Sequence, residues 1–224
     1  MCCIHIEKVD NTVDATMYDS SGYSRNGSLL SVPYISSDTA HYFTGMVFDG
    51  TDDGILIENK NLAPILNYTC SISFWIKTST ENIGRSIYFS SYTGSPFWCI
   101  EKSTGNKFRY DWNGNPDLYS TGTIIDNTWN FICFVRENAT SAKFYLNGEL
   151  DTTWTTACNP LTNLVDVWRI ARDVRTSDGT PYKGNMSDFR IYATALTPEQ
   201  IKELYNTSMT IDNNGNIHAR ELVE

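Results

Sequence analysis

Short hydrophobic segments whose positions alternate with polar ones recur along most of the chain. In residues 70–77 the side chains of Cys70, Ile72, Phe74 and Ile76 fall on one side, and mostly polar residues fall on the other. Such alternation is typical of a half-buried β-strand. Similar patterns predict six further strands, at residues 86–92, 97–102, 107–112, 129–136, 142–148 and 188–193.

Turn sequences rich in asparagine and glycine separate several of these segments. They are TGN at 104–106, NGN at 113–115 and NGE at 147–149. Because both residue types tolerate positive φ angles, these steps favour tight hairpin turns. Neighbouring strands are therefore predicted to pair as antiparallel hairpins, which indicates an all-β sandwich.

One short helix is predicted near the end of the chain, at residues 197–206. Thr197 is placed as the N-cap, Pro198 is the first helical residue and Gln200 completes a capping box. After the helix, residues 209–211 and 217–219 are predicted to pair as a small hairpin across NNGN.

Composition and charge restrict the partners of this sandwich. The chain has 224 residues, a length that one β-sandwich can accommodate, and 13% of them are aromatic. With 26 acidic and 17 basic side chains its formal charge is −9, which repels polyanions. We expect no binding to nucleic acid. The longest apolar runs span only a few residues, so no insertion into a membrane is expected.

The N-terminal sequence and the cysteines bear on the compartment. The opening MCCIHIEKVDN has no apolar stretch of the kind found in secretory signals, so we expect no signal peptide and synthesis in the cytoplasm. Cys70, Cys99 and Cys133 lie in apolar strand-like segments and are predicted to be buried free thiols. Disulfide bonds remain the alternative.

Six sequence segments occur in an order that resembles the laminin G-like, concanavalin A-like jelly-roll modules. The resemblance implies a two-sheet antiparallel jelly-roll sandwich with one short C-terminal helix and a terminal β-hairpin. We therefore predict a domain at residues 1–207, followed by an appendage at 208–224. The six segments are YDSSGYSRNGSL (18–29), MVFDGTDDGILI (46–57), SISFWIKT (71–78), TWNFICFVR (128–136), KFYLNGEL (143–150) and GNMSDFRIYATALTPEQIKELYN (184–206).

Two other segments are similar to modules of tailed-phage structural proteins and of bacterial surface proteins. They are SSDTAHYFTGMVFDG at 36–50 and the closing IDNNGNIHARELVE. This resemblance implies a location on a virion or an extracellular surface, with other virion or tail subunits as partners.

The sequence offers no set of residues for catalysis. The Glu-x-Asp-x-Glu strand motif of retaining glucanases with this fold is absent, as are the GxSxG, HExxH and P-loop motifs. Glu101 and Asp111 are the only acids on central strands that we considered, and each is expected to lie on a solvated face. We therefore predict that the protein is not an enzyme.

The segment 88–119 combines aromatic rings with amides and carboxylates, the mixture that sugar-binding surfaces use. This indicates a lectin-like carbohydrate-binding module that recognises a cell-surface glycan or polysaccharide. The alternatives are that many of these rings are core residues, and that the chain is a structural or protein-interaction module whose C-terminal hairpin drives assembly. The predicted ligand-binding residues are Trp98, Tyr110, Trp112, Asn113, Tyr92 and Trp154.

The resemblance also implies a structural Ca²⁺ held by loop oxygens, and no other cofactor is expected. The alternative is that the same side chains cap turns through hydrogen bonds to the backbone. The candidate ligands are Asp19, Asn26, Asp49 and Asp188, with Asp52 and Asp53 beside Asp49.

Overall fold

The structure is a computed structural model, and its description covers most of the chain. For residues 2–9, 34–35, 63, 86–87, 91–92, 97–98, 112, 207, 210–211 and 217–218 only the backbone is described. The described residues are 2–9, 16–31, 34–35, 46–58, 62–66, 69–80, 86–92, 97–112, 117–155, 167–172, 181–207, 210–211 and 217–218.

Strands dominate the structure, and every pairing described between them is antiparallel. A short helix, α1, spans Ala63–Leu66, and a longer one, α2, spans Pro198–Thr207. The strands are β1 Cys2–Val9, β2 Thr16–Asp19, β3 Gly27–Leu30, β4 Tyr34–Ile35, β5 Met46–Asp49, β6 Gly54–Glu58, β7 Cys70–Thr78, β8 Ser86–Tyr92, β9 Phe97–Ser103, β10 Lys107–Trp112, β11 Leu118–Tyr119, β12 Trp129–Asn138, β13 Ser141–Leu146, β14 Glu149–Trp154, β15 Val167–Ile170, β16 Lys183–Tyr192, β17 Thr210–Ile211 and β18 Ile217–His218.

The strands form a continuous hydrogen-bonded path that folds into two layers. The first sheet has the order β11-β10-β9-β8-β15-β6-β3, and the second sheet has the order β16-β7-β12-β13-β14. Strands β2 and β1 carry the path from one layer to the other, while β5, paired with β4, extends along β16. This arrangement is the predicted two-sheet jelly-roll sandwich.

Aromatic rings from the two sheets pack against each other in the main core. Phe108 of the first sheet stacks on Phe144 of the second, with ring centroids 4.0 Å apart. Farther along, Phe89 lies 5.2 Å from Phe189. Burial of such rings supplies most of the hydrophobic free energy that holds two β layers together. One face of each sheet is therefore interior.

A second, smaller core lies on the other side of the second sheet, beneath α2. Trp75 and Phe131 project from β7 and β12, and Tyr205 of the helix stacks on Trp75 with ring centroids 5.6 Å apart. The helix begins as the sequence predicts. Thr197 N donates to Gln200 Oε1 at 2.9 Å, and Gln200 N donates to Thr197 Oγ1 at 3.3 Å. This reciprocal pair is the predicted capping box.

The strands predicted from the sequence and the predicted turns at 104–106 and 147–149 are confirmed. All seven predicted strands are present, and the one predicted at 188–193 begins five residues earlier, at Lys183. The turn residues Gly105, Asn147 and Gly148 have φ angles of 74°, 52° and 79°. The NGN turn at 113–115 lies outside the described residues. The structure also places Cys70, Cys99 and Cys133 as buried free thiols.

The predicted terminal hairpin forms a separate two-stranded sheet. Thr210 pairs with His218 and Ile211 with Ile217, and neither strand joins the sandwich path. The division between 1–207 and 208–224 stays a prediction. Among the described residues, neither helix has the length and apolar character required to cross a bilayer.

Candidate functional site

Alternation along β9 and β10 decides which side chains face outward from the first sheet. Ile100, Phe108 and Tyr110 enter the main core. Because successive side chains of a strand point to opposite faces, Arg109 and its neighbours lie on the outer face. The strand register places Arg109 opposite Glu101 and Asp111 opposite Cys99.

A single guanidinium group joins three carboxylates on this outer face. Arg109 Nη1 donates to Glu101 Oε1, and Nη2 donates to Asp111 Oδ2 at 2.9 Å and to Asp117 Oδ1 at 2.7 Å. Two further groups extend the network. Tyr119 OH donates to Asp117 Oδ2 at 3.2 Å, and Cys99 Sγ donates to Glu101 Oε2 at 3.6 Å. We call these six residues the Arg109 cluster: Cys99, Glu101, Arg109, Asp111, Asp117 and Tyr119.

Exposure rises across the Arg109 cluster from its base to its rim. The Glu101 side chain is 0% exposed and that of Arg109 is 9% exposed, whereas those of Asp111 and Asp117 are 16% and 34% exposed. Tyr119 is 45% exposed. The cation thus lies at the base, and carboxylate oxygens and a phenol ring form the exposed rim.

The three carboxylates keep the guanidinium charged. Burial disfavours the charged form of Arg109, but the adjacent Glu101, together with Asp117 and Asp111, outweighs burial and raises the pKa of the arginine. One positive and three negative groups give the Arg109 cluster a formal charge of −2. Arg109 Nε is buried without an acceptor among the described residues, so the two Nη atoms hold the side chain.

The rim of the Arg109 cluster offers groups that can bind a polar ligand. Carboxylates at the rim accept hydrogen bonds from hydroxyl groups, and an exposed phenol ring packs against the apolar face of a sugar. Glu101 was expected on a solvated face, but it is completely buried and both of its oxygens accept hydrogen bonds from Arg109 or Cys99. It therefore has no exposed oxygen with which to protonate a substrate.

Two of the predicted ligand-binding residues are buried in the main core, so the structure contradicts their assignment to a glycan surface. Tyr110 is 1% exposed and its ring lies 4.4 Å from that of Phe134. Trp154 is 8% exposed, stacks on Phe108, and donates from Nε1 to the carbonyl oxygen of Tyr119. Alternation identified the two faces of these strands, but the face chosen for the glycan is the interior one.

The other four predicted ligand-binding residues stay predictions. The backbone of β9 and β10 pairs Trp98 with Trp112, one register position beyond the pair of Cys99 and Asp111. Tyr92 ends β8 and pairs with the first residue of β9. These three positions lie at the same end of the first sheet, and only their backbone is described, while Asn113 lies outside the described residues.

The predicted ligand-binding residues include none of Arg109, Asp117 and Tyr119, although the segment 88–119 singled out for sugar binding contains all three. Arg109 carried a usable signal, because in KFRYDW the charged residues alternate with aromatic ones and so mark the outward face. Asp117 and Tyr119 carried no comparable signal. They lie in and beside β11, a strand of two residues, and only the folded chain brings them to the arginine.

The predicted metal ligands do not meet at one place. Asp19 caps its own loop, because its carboxylate accepts hydrogen bonds from the amides of Ser21 and Arg25, and its amide donates to Asn26 Oδ1. Asp188 pairs with Arg190 at 2.6 Å. These geometries match the turn-capping alternative for Asp19 and Asn26 and an ion pair for Asp188.

Asp49 does belong to an acidic group, but with different neighbours. Among the described residues, ligand atoms of Asp49, Asp52 and Asp53 lie within 4.8 Å of one another. Burial, together with repulsion from the other two carboxylates, raises the pKa of Asp53. Three convergent carboxylates suit a hard divalent cation such as Ca²⁺, which neutralises this repulsion.

Solved structures with the same architecture are jelly-roll domains. The chain resembles Domain 4 of AbnA, a GH43 extracellular arabinanase from Geobacillus stearothermophilus, in complex with arabinotriose. The TM-score is 0.71 and the identity 20%, over 92% of this chain and 98% of that domain. It also resembles the receptor binding domain of a botulinum neurotoxin C/D mosaic serotype, with a TM-score of 0.73 and 18% identity over 96% of this chain and 54% of the toxin domain.

A third similar structure is that of a botulinum neurotoxin type C protein whose cell entry depends on two ganglioside molecules (TM-score 0.72, 19% identity, 94% of this chain and 52% of that chain). The chain spans about half the length of these toxin domains. No curated protein matches its sequence. Residues 49–202 match the Concanavalin A-like lectin/glucanases superfamily, and the chain belongs to this family.

Proposed function

We propose that this chain is a carbohydrate-binding module without catalytic activity and that the Arg109 cluster contacts the glycan. The observation that carries the proposal is an exposed ring, Tyr119, beside two partly exposed carboxylates on the outer face of a sheet. Sugar sites combine these elements, because a pyranose or furanose has both an apolar face and hydroxyl edges.

The similarity to the arabinanase domain supports this proposal more strongly than the similarity to the toxins does. The arabinanase domain is matched over nearly its whole length and was solved with arabinotriose bound. The toxin structures are matched over about half their length. What the toxins bind therefore need not lie in the matched half.

Binding to a panel of oligosaccharides and cell-surface polysaccharides, with arabinotriose among them, tests the function. In isothermal titration calorimetry, Asp117→Ala and Tyr119→Ala should each weaken binding about tenfold or more, because each removes a contact at the rim. Tyr23→Ala is the matched control, since Tyr23 is also 45% exposed but lies in the turn after β2. Unchanged binding in both rim variants would exclude the Arg109 cluster as the site.

The absence of catalysis is part of the same proposal. It is supported by the complete burial of Glu101 and by the lack of a glucanase strand motif in the sequence. Incubation with the same polysaccharides, followed by measurement of reducing ends, should show no release above that of a heat-treated sample. Release that disappears in Glu101→Gln would show that the protein is a hydrolase.

We further propose a Ca²⁺ ion at Asp49, Asp52 and Asp53, with a structural role. The support is the close approach of the three carboxylates at the turn that joins β5 to β6. Their oxygens are the donors that Ca²⁺ prefers, and the ion would fix this turn without taking part in any reaction.

A role in assembly is the second candidate, favoured by the terminal hairpin. Strands β17 and β18 pair with each other and not with the sandwich, so the hairpin is a separate element. We propose a location on a virion or an extracellular surface, supported by the phage-like segments of the sequence. Sedimentation of the full chain and of a truncation after Asn206 tests assembly, because identical monomers would exclude the hairpin as its cause.

A further inference from the structure

We propose that the Arg109 cluster selects saccharides without acidic groups and rejects sialylated, uronic or sulfated ones. This inference rests on the proposed function, since it specifies the class of glycan that the same site takes. The similar structures differ in the charge of the saccharides to which they are linked. One was solved with the neutral arabinotriose, and others are linked to gangliosides or were solved with a sialylated ligand.

The positive charge of the Arg109 cluster is already engaged by the protein. Its guanidinium pairs with Glu101, Asp111 and Asp117, and it lies beneath the two aspartates. An acidic ligand would therefore approach carboxylates first and reach no available cation. Like charges placed side by side at a partly buried site oppose binding.

Among the described residues, the other cations near this end of the sheet do not reverse the balance. Lys102 is paired with Asp126 at 2.6 Å, and the Lys107 ammonium donates to the carbonyl oxygens of Thr121 and Gly122. The carboxylate of Asp126 neutralises Lys102. The acceptors of Lys107 are uncharged, and adding its positive charge to the Arg109 cluster still leaves a formal charge of −1. The net charge of −9 for the whole chain adds repulsion at longer range.

Arg169 stands in the same register row, but too far along it to neutralise the rim. The row runs from Asp111 through Cys99 and Ser90 to Arg169. Three strand spacings separate its ends, or about 14 Å. This backbone separation places Arg169 outside the group of carboxylates that contact Arg109.

Hydrogen-bonding capacity leads to the same selection. The rim oxygens of Asp111 and Asp117 are acceptors, so the ligand must bring donors. Sugar hydroxyls donate, and so does the ammonium group of an amino sugar. Ionised carboxylates and sulfates only accept. A saccharide with hydroxyl or amino groups therefore matches the rim, whereas an acidic saccharide places acceptor against acceptor.

Chemically matched ligand pairs test this inference. One pair is an oligosaccharide with and without terminal sialic acid, and another is polygalacturonan before and after methyl esterification. Chitin oligosaccharides before and after deacetylation compare a neutral with a cationic ligand. In affinity electrophoresis and titration calorimetry, the non-acidic member should bind about tenfold more tightly or better, and the cationic member should bind at least as well as the neutral one.

Variants that each remove one negative charge test whether the Arg109 cluster is the source of the selection. Asp117→Asn preserves size and should reduce the preference for the non-acidic member several-fold, more strongly at low salt than at high salt. Glu149→Gln is the matched control, because Glu149 is an exposed carboxylate on β14 of the other sheet. It should leave the preference unchanged. Thermal unfolding of both variants verifies that they are folded.

The possible outcomes separate the two proposals. Equal or tighter binding of acidic members by the native chain, with binding still lost in Asp117→Ala, would overturn the charge selection and leave the carbohydrate-binding function intact. Absence of binding to every member of every pair would overturn both. A preference that Glu149→Gln reduces as much as Asp117→Asn does would show that net charge, and not the Arg109 cluster, selects the ligand.

Discussion

At the scale of single residues, Arg109 determines the geometry of the candidate site. It joins carboxylates from β9, from its own strand β10 and from the segment leading into β11. The three acids lie at sequence separations of two to eight residues, so one side chain organises a whole hairpin and its extension. Its removal therefore has consequences for stability as well as for binding.

Arg109→Gln should lower the free energy of unfolding by about 3–5 kcal/mol, because it leaves the buried Glu101 carboxylate without its counter-charge. The double variant Glu101→Gln/Arg109→Gln should recover much of this loss. Urea unfolding of the two single variants and the double variant completes a double-mutant cycle. A double variant no more stable than Arg109→Gln would show that the ion pair is not the cause.

Protonation of Asp53 should make the stability of the fold depend on pH. Its pKa is raised in the folded state, so the proton binds more tightly there than in the unfolded chain. The stabilisation from this proton is complete below the unfolded pKa of about 4 and is lost as pH rises through the folded value. Asp53→Asn should abolish this loss and increase thermal stability at neutral pH in the presence of a chelator.

Addition of Ca²⁺ should reverse the order of these two proteins. It should raise the melting temperature of the native chain and leave that of Asp53→Asn almost unchanged, because the variant lacks one of the three carboxylates. Differential scanning calorimetry with and without chelator measures both effects. Equal responses of the two proteins to Ca²⁺ would show that the ion does not bind at this turn.

Sequence reasoning at this scale predicted the strands that carry the Arg109 cluster and their two faces, but not which face is interior. In KFRYDW, alternation separates Phe108 and Tyr110 from Arg109 and Asp111, yet either set is compatible with a binding surface until the partner sheet is known. The position of Phe144 and Phe134 across the core settles the orientation. Asp117 was not predictable, since its approach to Arg109 depends on tertiary structure.

At the scale of elements, the turns are where local sequence and structure agree most closely. The hairpin from β13 to β14 turns through Asn147 and Gly148, both with positive φ, and Asn147 Oδ1 accepts the amide of Phe131. Long alternating strands and the capped helix were likewise predictable. Strands β2, β3 and β11 have two to four residues, too few for a periodic pattern, and so were not predicted.

Two glycines have similar backbone angles but different surroundings, so substituting each distinguishes the cost of backbone strain from that of steric contact. Gly105 and Gly148 have φ of 74° and 79°, but an added Cβ meets nothing within 4 Å at Gly105 and lies 2.9 Å from the Tyr205 ring at Gly148. Gly105→Ala should cost about 1 kcal/mol in the free energy of unfolding, and Gly148→Ala distinctly more. Chemical denaturation of both compares the costs. Equal losses would show that Tyr205 accommodates the methyl group without strain on α2.

At the scale of the whole molecule, the second sheet is covered on both faces. Its inner face packs on the first sheet, and its outer face packs on α2 through Trp75, Phe131 and Tyr205. Cys70 belongs to the main core and Cys133 to the core beneath the helix. The two thiols therefore report on the two cores separately.

Thiol labelling should follow unfolding of the corresponding core. Burial raises the pKa of Cys70 to about 12 and also raises that of Cys133, so neither forms a reactive thiolate in the folded protein at neutral pH. Pulsed alkylation in increasing urea, with mass-spectrometric mapping, measures the labelling of each. Rapid modification of Cys133 alone in buffer would show that α2 detaches from the sheet independently of the sandwich.

The strands at the two ends of the path, β11 and β14, are connected by side-chain hydrogen bonds and not by backbone pairing. Asp151 on β14 accepts hydrogen bonds from the amides of Thr121 and Gly122, just beyond β11, and the Trp154 indole donates to Tyr119. A side-chain carboxylate thus occupies backbone donors that an approaching β-strand would otherwise use. Unpaired strand edges are the usual starting points of aggregation. The carboxylate of Asp151 therefore leaves fewer free backbone donors here for pairing with a strand of a second copy of this chain.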